Sequence, residues 1–361
     1  MTRIIIKLRS LLAMLAMTLL AACGGAPDNP AAQKKEFTIG WSIYAGWMPW
    51  PYAQQAGIVK KWADKYGIDI KVVQINDYVE SVNQYSAGKL DGVTVTNMDA
   101  LTIPAVGGKD SSAIILGDYS NGNDGIVLKN GASLADIKGR SVNLVELSVS
   151  HYLLARALET QGMALTDVKT VNTADADMVG AFTSPDVQAM VAWNPQLSEI
   201  SKQPGAKQVF NSSQIPGEIL DLLVVDTATL KANPNLGKAL AGIWYDTMAL
   251  MQRQDEEGKK ARAAMAGLAG ATPESFDAQL ATTRLYVTAA DAVAATTSPD
   301  LVKTMTRVRD FSFSRGLFGP GASSADAVGI AFPGGKVLGN EGNVKLRFDA
   351  TYMQMAAEGK L

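Results

Sequence analysis

Aromatic residues are concentrated just beyond the end of the first predicted strand. The strand covers residues 37–43, and Tyr44, Trp47 and Trp50 follow it. Alternation along the strand buries Trp41, but it does not orient side chains beyond the strand end. Aromatic faces stack on flat solutes and attract a planar cation by about 0.5–2 kcal/mol each. We therefore expect Tyr44, Trp47 and Trp50 to contact a small, flat ligand, with core packing as the alternative for each.

Polar or aromatic side chains also stand at the ends of several other predicted strands. These positions are Asn97, Asp99, Asp118, Glu146, Ser148, Trp193, Asn194, Glu218 and Asp221. Ligands of open α/β sheets bind beyond the carboxyl ends of the strands, where such side chains meet. Few lysines or arginines occupy these positions, although an anion site would ordinarily use them. Acceptors among aromatic rings suit a ligand rich in N–H donors, and a turn or helix cap is the alternative role for any single position.

Few residues of the chain could support catalysis. It contains one histidine, His151, and one cysteine, Cys23. Zinc catalysis usually needs two or three histidine ligands, and the G-x-S-x-G pattern of a serine nucleophile elbow is missing. Glycine motifs that bind phosphate or dinucleotides are missing too. The sequence therefore predicts no catalytic residue, metal site or cofactor. His151, at the start of a predicted helix, is expected to pack or cap rather than to bind a ligand.

The first residues of the chain predict export. Arg3, Lys7 and Arg9 precede an apolar run at 11–20, and the small-residue pattern Leu-Ala-Ala-Cys ends at Cys23. The run is shorter than the roughly 20 residues of a membrane span. We predict a signal peptide over residues 1–22, lipidation at Cys23 and a lipid-anchored tether over residues 23–36, hence a periplasmic lipoprotein. A short uncleaved anchor helix is the alternative.

The charge balance narrows the class of partner. The full chain has 33 Lys and Arg against 35 Asp and Glu. Removal of the three basic residues of the predicted signal leaves 30 against 35, a net charge of −5. A mildly acidic, mixed surface argues against nucleic acid or an anionic membrane face as partner. With 47% apolar residues, the chain is long enough for two domains with a substantial core.

Short β-rich runs alternate with helical runs over the first two-thirds of the chain. Glycines end several of the helices, as at Gly67, Gly88 and Gly162. This alternation predicts mostly parallel sheets with helices on both faces. The predicted strands are residues 37–43, 71–75, 92–96 and 112–116 in a first group, 125–128, 141–145, 168–171, 189–193 and 208–210 in a second, and a return strand at 222–225.

The order of these elements predicts two lobes that the chain visits in turn. We assign residues 37–124 and 215–361 to lobe I and residues 125–214 to lobe II. From Asn233 onward the pattern is mostly helical. Two α/β lobes joined in this way are typical of the periplasmic-binding-protein clamshell, type II-like, here with a helical C-terminal part. Ligands of such folds lie in the cleft between the lobes.

Four short motifs follow the cleavage pattern in a fixed order. They are Trp-Met-Pro-Trp at 47–50, Gly-Lys-Leu-Asp at 88–91, Ser-Val-Ser-His-Tyr-Leu-Leu at 148–154 and Ala-Trp-Asn-Pro at 192–195. Together they resemble the substrate-binding proteins of the nitrate/sulfonate/taurine class of ABC importers, across about residues 37–230. The resemblance implies a binding protein and not an enzyme. It also implies an ABC permease and ATPase subunits as partners, and a monomer held at the membrane by its lipid anchor.

A narrower resemblance points to the kind of solute. The segment 40–50, Gly-Trp-Ser-Ile-Tyr-Ala-Gly-Trp-Met-Pro-Trp, is similar to the branch linked to urea carboxylase gene regions, which is ascribed to urea transport. This similarity implies urea, guanidine or a related small nitrogen-rich solute as the ligand.

The sequence departs from the taurine-like pattern at one helix start. Relatives of that kind often place Gly-Ser before the helix that carries the histidine, whereas this chain has Val145-Glu146-Leu147-Ser148. A carboxylate at Glu146 would repel a sulfonate or nitrate. An anion binder of the nitrate/sulfonate/taurine type is nevertheless the first alternative. An enzyme similar to those of thiamine-pyrimidine synthesis, which share the fold, is the second.

Overall fold

Strands and helices alternate from residue 36 to residue 226. The structure is a computed structural model that describes residues 34–361, so the predicted signal peptide, Cys23 and most of the tether lie outside the described residues. Each of the ten predicted strands overlaps a strand of the structure. These are β1 (Glu36–Trp41), β2 (Asp69–Gln74), β3 (Gly92–Thr96), β4 (Ser111–Ser120), β5 (Asp124–Lys129), β6 (Ser141–Leu144), β7 (Lys169–Asn172), β8 (Ala189–Trp193), β9 (Ala206–Asn211) and β10 (Leu220–Asp226).

The helices of this region begin and end where the local sequence favours a cap. Asp77 accepts from the Glu80 N–H at the start of the third helix, and Gly67 has a φ of 64° after the second. The helices are α1 (Pro49–Gln55), α2 (Ile58–Tyr66), α3 (Tyr78–Ser86), α4 (Asn97–Ala100), α5 (Val149–Thr160), α6 (Met178–Ala181) and α7 (Gln196–Ser201).

The C-terminal part is mostly helical, as predicted, and no helix within residues 34–361 has both the length and the apolar character needed to cross a bilayer. Its helices are α8 (Thr227–Ala232), α9 (Pro234–Gln252), α10 (Glu256–Leu268), α11 (Pro273–Leu280), α12 (Ala289–Thr297), α13 (Pro299–Ser314) and α14 (Thr351–Ala357). Four short strands were not expected, because two to five residues are too few to show alternation. They are β11 (Thr283–Leu285), β12 (Gly329–Ala331), β13 (Val337–Leu338) and β14 (Val344–Phe348).

The strands form two separate sheets, which confirms the two-lobed α/β fold. The first sheet has the order β13-β12-β14-β4-β10-β3-β1-β2, with β11 beside β4. The second has the order β7-β6-β8-β5-β9. The chain leaves the first sheet after Ser120 and enters the second at Asp124, and it returns from Asn211 to Leu220. Two connections therefore join the lobes.

Most strands of each sheet run in the same direction, as expected, and a minority run against them. β10 runs antiparallel to β3 and β4, and β5 runs antiparallel to β8 and β9. The reason is topological. β5 and β10 are the strands that the chain enters from the connections between the lobes, so they start at the edge where other strands of their sheet end.

The centre of the first sheet positions polar groups at this edge. Every residue of β3 is buried, and β10 is buried from Leu220 to Val225. Asp221 is thus a carboxylate inside an otherwise apolar strand, where a charge is unfavourable without a partner. Because β4 and β3 run in the same direction, their carboxyl ends meet the start of β10 at one edge.

Glu218, on the second connection, joins elements of both lobes. Its carboxylate accepts from Tyr152 Oη at 2.5 Å and Arg156 Nε at 2.7 Å, both on α5. It also accepts from Arg307 Nη1 of α13 at 2.7 Å. Glu218 is 6% exposed, and its hydrogen bonds with Arg156 and Tyr152 outweigh burial and lower its pKa. A charged hydrogen-bond network therefore fixes the connection beside the cleft.

Replacing Glu218 by glutamine should destabilise the protein by about 1–3 kcal/mol, because two arginines lose their shared anion. Thermal unfolding measures this change. The matched control is Glu159→Gln, which removes an exposed carboxylate paired with the same Arg156 and should cost about 0–1 kcal/mol. Equal effects of the two substitutions would contradict a structural role for the buried network.

Candidate functional site

A small cavity lies between the two sheets, at the edge where β3 and β4 end. Its volume is about 20 Å³, counted as the space open to the centre of a water molecule. That space is on the order of one or two water positions, so a solute of few heavy atoms is the size it suits. The lining residues come from both lobes and their connections: Tyr44, Trp47, Tyr78, Thr96, Asn123, Asp124, Val149, Trp193, Ile219 and Asp221.

Four aromatic rings in series form the wall of the cavity. The centroids of Tyr44 and Trp47 are 5.1 Å apart in an edge-to-face arrangement, and those of Trp47 and Tyr78 are 5.7 Å apart. Tyr78 then meets Trp193, from the second lobe, at 5.8 Å and again edge to face. Such contacts hold each ring in one orientation. The aromatic wall therefore crosses the cleft and is complete only when both lobes contribute.

Two carboxylates of the first sheet lie side by side at the cavity. Asp118 of β4 and Asp221 of β10 are opposite each other in the strand register, and Thr96 of β3 continues the row. Asp221 lines the cavity, and Asp118 is fully buried beside it. Burial raises the pKa of both groups, and the charge of Asp118 raises that of Asp221 further. The pair is an anionic element in a low-dielectric setting.

Tyr44 connects this pair to the aromatic wall. Its Oη donates to Asp118 Oδ1 at 2.7 Å and lies 3.1 Å from Oγ1 of Thr283 on β11. Burial raises the pKa of Tyr44 well above its usual value, with the charges of Asp118 and Asp221 as further causes. Tyr44 therefore stays a neutral hydrogen-bond donor.

A third carboxylate lies near the pair, at the start of the second sheet. Asp124 is the first residue of β5 and accepts a hydrogen bond from Ser120 Oγ. Burial raises the pKa of Asp124 to about 6. The cavity thus holds acidic groups from both sheets, and none of its lining residues is a lysine or an arginine.

A fourth carboxylate lies behind the aromatic wall. Asp99 Oδ2 accepts from Tyr78 Oη at 2.7 Å and from Thr96 Oγ1 at 2.8 Å. Burial raises the pKa of Asp99 to about 6 despite these bonds. Asp99 does not line the cavity; it fixes the positions of Tyr78 and Thr96, which do.

Three buried polar atoms around the cavity have no hydrogen-bond partner among residues 34–361. They are Trp47 Nε1, Asn123 Oδ1 and Asp118 Oδ2. Most buried polar groups in proteins are paired, so each unpaired one calls for an explanation. A bound molecule with N–H donors is one way to satisfy Asn123, which lines the cavity.

The structure brings some of the predicted site residues together. Tyr44, Trp47, Trp193 and Asp221 line one cavity, and Asp118 adjoins it. The lining residues that the sequence did not single out are Tyr78, Thr96, Asn123, Asp124, Val149 and Ile219. Asp124 lies at the end of the turn-rich stretch that follows β4. Its position at the start of a strand was the sequence signal that could have identified it as a cavity residue.

Other predicted positions lie in the interior of one lobe or at its connections. Trp50 is 1% exposed and packs on Trp244 of α9 at 5.4 Å, because α1 turns that side chain into the core. Asn97 Nδ2 donates to the Glu218 carbonyl, and its Oδ1 accepts from the Leu220 N–H. Both residues stabilise the fold around the cavity but do not line it.

The predicted positions in the second lobe act mainly as caps. Ser148 Oγ accepts from the Ser150 N–H at the start of α5, and Asn194 Oδ1 accepts from the Ser198 N–H beside α7. Glu146 is half-buried and borders surface pockets outside the cavity. His151 Nδ1 accepts from the Leu147 N–H, so the histidine caps and packs, as expected. The acidic groups at the cavity are Asp124 and Asp221, and not Glu146.

Residues 30–269 match the NMT1-like family. The chain belongs to the NMT1-like family. The match includes all of predicted lobe II and the part of predicted lobe I that ends at residue 269. It leaves out the rest of the helical C-terminal region.

Relatives of this NMT1-like protein share its fold. A Brucella abortus (strain 2308) protein described as a candidate binding protein is 29% identical over 211 residues, which are 57% of this chain and 62% of the relative. The alkanesulfonate-binding protein of Xanthomonas axonopodis pv. citri, solved with MOPS, has a TM-score of 0.66 and 18% identity, covering 80% of this chain and 96% of its own. The periplasmic nitrate-binding protein of Synechocystis PCC 6803 has a TM-score of 0.56 and 14% identity, covering 91% and 99%.

These comparisons confirm the periplasmic-binding-protein fold of the NMT1-like chain. The chain matches less than two-thirds of the length of the Brucella relative. The TM-scores to the solved structures establish the architecture. The sequence identities, which are below one-fifth, leave the ligand open.

Replacing Asp124 by asparagine should stabilise the unliganded protein. Burial raises the pKa of Asp124 in the folded protein to about 6, above its pKa in the unfolded chain. The free energy of unfolding therefore falls as the pH rises from the unfolded-state pKa to the folded-state pKa. The penalty is therefore fully present at pH 8, where the variant should gain about 1–3 kcal/mol in the free energy of thermal unfolding, and smaller at pH 5. The exposed Asp69→Asn serves as the control and should show no such pH-dependent gain. A less stable Asp124→Asn protein at pH 8 would contradict the unfavourable burial of this charge.

Proposed function

We propose that this protein is the solute-binding component of an ABC import system and captures a small planar cation of the guanidinium type between its lobes. One observation carries the proposal. The cavity combines aromatic rings from both lobes with carboxylates from both sheets, and no basic side chain lines it.

Charge is the first argument for a cation. Asp124 of β5 and Asp221 of β10 line the cavity from different sheets, and Asp118 adjoins Asp221. No ion pair within residues 34–361 neutralises these three groups. Buried charges without a partner are costly, whereas a bound cation would stabilise them. A nitrate or sulfonate would instead meet like charges without a compensating lysine or arginine.

Shape is the second argument. A guanidinium ion is flat, and its N–H groups point outward in the plane, where carboxylates can accept them. Its faces would contact rings such as Trp47 and Trp193, whose π-systems attract cations. The small volume of the cavity favours the unsubstituted ion over substituted derivatives. Urea has a similar outline but no charge, so we place it second.

Closure of the two lobes is the mechanism that the site suggests. We take residues 37–124 and 215–361 as lobe I and residues 125–214 as lobe II. The cavity needs residues from both, so a ligand bound in it would stabilise the closed arrangement. The permease and ATPase subunits of the importer would then recognise the closed form. We further propose that signal-peptide cleavage and lipidation at Cys23 hold a monomer at the periplasmic membrane surface.

Binding of an anion is the competing function, because solved structures with the same fold are named as nitrate-binding and alkanesulfonate-binding proteins. Their names describe those proteins, and the acidic lining of this cavity is the observation against transferring them. The enzyme alternative rests on the shared fold alone, and no serine, cysteine, lysine or histidine among residues 34–361 lines the cavity.

Isothermal titration calorimetry with a panel of solutes tests the proposal. Guanidinium chloride at submillimolar concentration should bind one to one, stabilise the protein thermally and undergo no conversion. Urea should bind more weakly, and nitrate, taurine and alkanesulfonates should give no signal. Binding of any of these anions with no response to guanidinium would overturn the assignment.

Replacing Asp221 by asparagine should lower guanidinium affinity by at least about thirtyfold, because a charged hydrogen bond in a desolvated site is lost. The same calorimetric titration measures the change. Asp64→Asn is the control, since Asp64 forms an exposed pair with Lys60 on α2 and its loss should leave the affinity unchanged. An Asp221→Asn protein that binds guanidinium as tightly as the parent would contradict the cation site.

A further inference from the structure

Asp118 and Asp221 form an unusual pair within the first sheet. They are opposite each other on antiparallel neighbours β4 and β10, and the register shifts immediately after them. A bulge of this kind re-aims side chains and is common beside binding sites. Directly opposed carboxylates on one face of a sheet repel each other when both are ionised. Both are buried, at 0% and 5% exposure, so water cannot screen that repulsion.

The groups that face this pair offer no positive charge. Tyr44 donates a hydrogen bond to Asp118 Oδ1. Asp124 of β5 adds a negative charge near Asp221. Tyr286 lies close enough to Asp118 for its charge to raise the pKa of the tyrosine. Arg284 of β11 is exposed, and no ion pair joins it to either carboxylate within the described chain. Asp118 Oδ2 is buried and accepts no hydrogen bond there. A single proton between the two carboxyl groups would satisfy this oxygen and remove the repulsion.

We propose that Asp118 and Asp221 share one proton in the unliganded protein and that this proton selects ligands by charge. A monocation displaces it to the solvent, so one positive charge replaces another in the buried site. A neutral isostere such as urea leaves the proton in place and accepts a hydrogen bond from it. The inference rests on the proposed function for its ligand, but the shared proton is a property of the unliganded protein.

The exchange is balanced in charge and protons. The carboxylic acid O–H bond breaks, its electron pair stays on the carboxylate, and a buffer base takes the proton. Guanidinium keeps its own protons throughout. By linkage, guanidinium affinity should rise by up to tenfold per pH unit while the pair remains protonated, whereas urea affinity should not rise. Burial and mutual repulsion raise the pKa of the pair, which places this dependence near neutral pH and above.

Calorimetry in two buffers tests the proton release. At pH 7.5, guanidinium titrations in phosphate and in Tris should differ in enthalpy by the amount expected for about one released proton, and urea titrations should agree. Asp118→Asn removes the like charge beside Asp221, so any guanidinium binding that this variant retains should proceed without proton release. Binding of guanidinium by the parent protein with equal enthalpies in both buffers would overturn the inference.

A measurement without ligand separates this inference from the proposed function. Infrared spectra of the unliganded protein at pH 7.5 should show a protonated carboxyl band that shifts in heavy water and disappears in both Asp118→Asn and Asp221→Asn. Asp99→Asn, which changes a buried carboxylate outside the pair, should keep the band. Absence of the band in the parent protein refutes the shared proton. A present band together with no guanidinium binding at any pH supports the proton and refutes the proposed ligand.

Discussion

The cross-strand register of β3, β10 and β4 is the constraint on which the site depends. It aligns Thr96, Asp221 and Asp118 in one row at the edge of the first sheet. An acidic residue in a buried strand is unfavourable by itself, and two side by side are more so. The buried apolar side chains of the surrounding strands and helices offset the loss in the free energy of unfolding that these buried carboxylates cause. Such local conflicts between residue and environment are typical of functional sites.

The second lobe completes what the first lobe begins. Trp193 of the second lobe extends the aromatic series of Tyr44, Trp47 and Tyr78, and Asp124, at the start of the second sheet, lines the same cavity as Asp221. Because neither lobe holds all of these groups, a ligand bound in the cavity would contact both lobes at once. Glu218 lies on the connection beside this cleft and joins α5 to α13, so the position of the second lobe depends on a second buried network. The fold is shared with proteins named for anions, but a shared fold does not fix the ligand, and acidic and aromatic residues line the cavity of this chain.

Much of the architecture was predictable because alternation and helix caps are local signals. The ten strands up to residue 226 and the helix at Val149–Thr160 follow directly from them. The short strands β11 to β14 carry too few residues for periodicity, and the direction of β5 and β10 depends on where the chain crosses between sheets. Local pattern predicts where the chain leaves and re-enters the first sheet, but it does not give the direction of a strand relative to its neighbours.

The sequence by itself determined the two α/β lobes and the types of residue available to a site. Aromatic and acidic residues stand at the strand ends, few basic residues do, and the chain has one histidine. The sequence could not separate Trp47, which lines the cavity, from Trp50, which packs on Trp244 three residues later. Nor could it join Asp118 to Asp221, which are adjacent only through strand register, or select Asp124 over Glu146. Those choices belong to the tertiary structure, because strand pairing and the meeting of two lobes decide which side chains share one desolvated space.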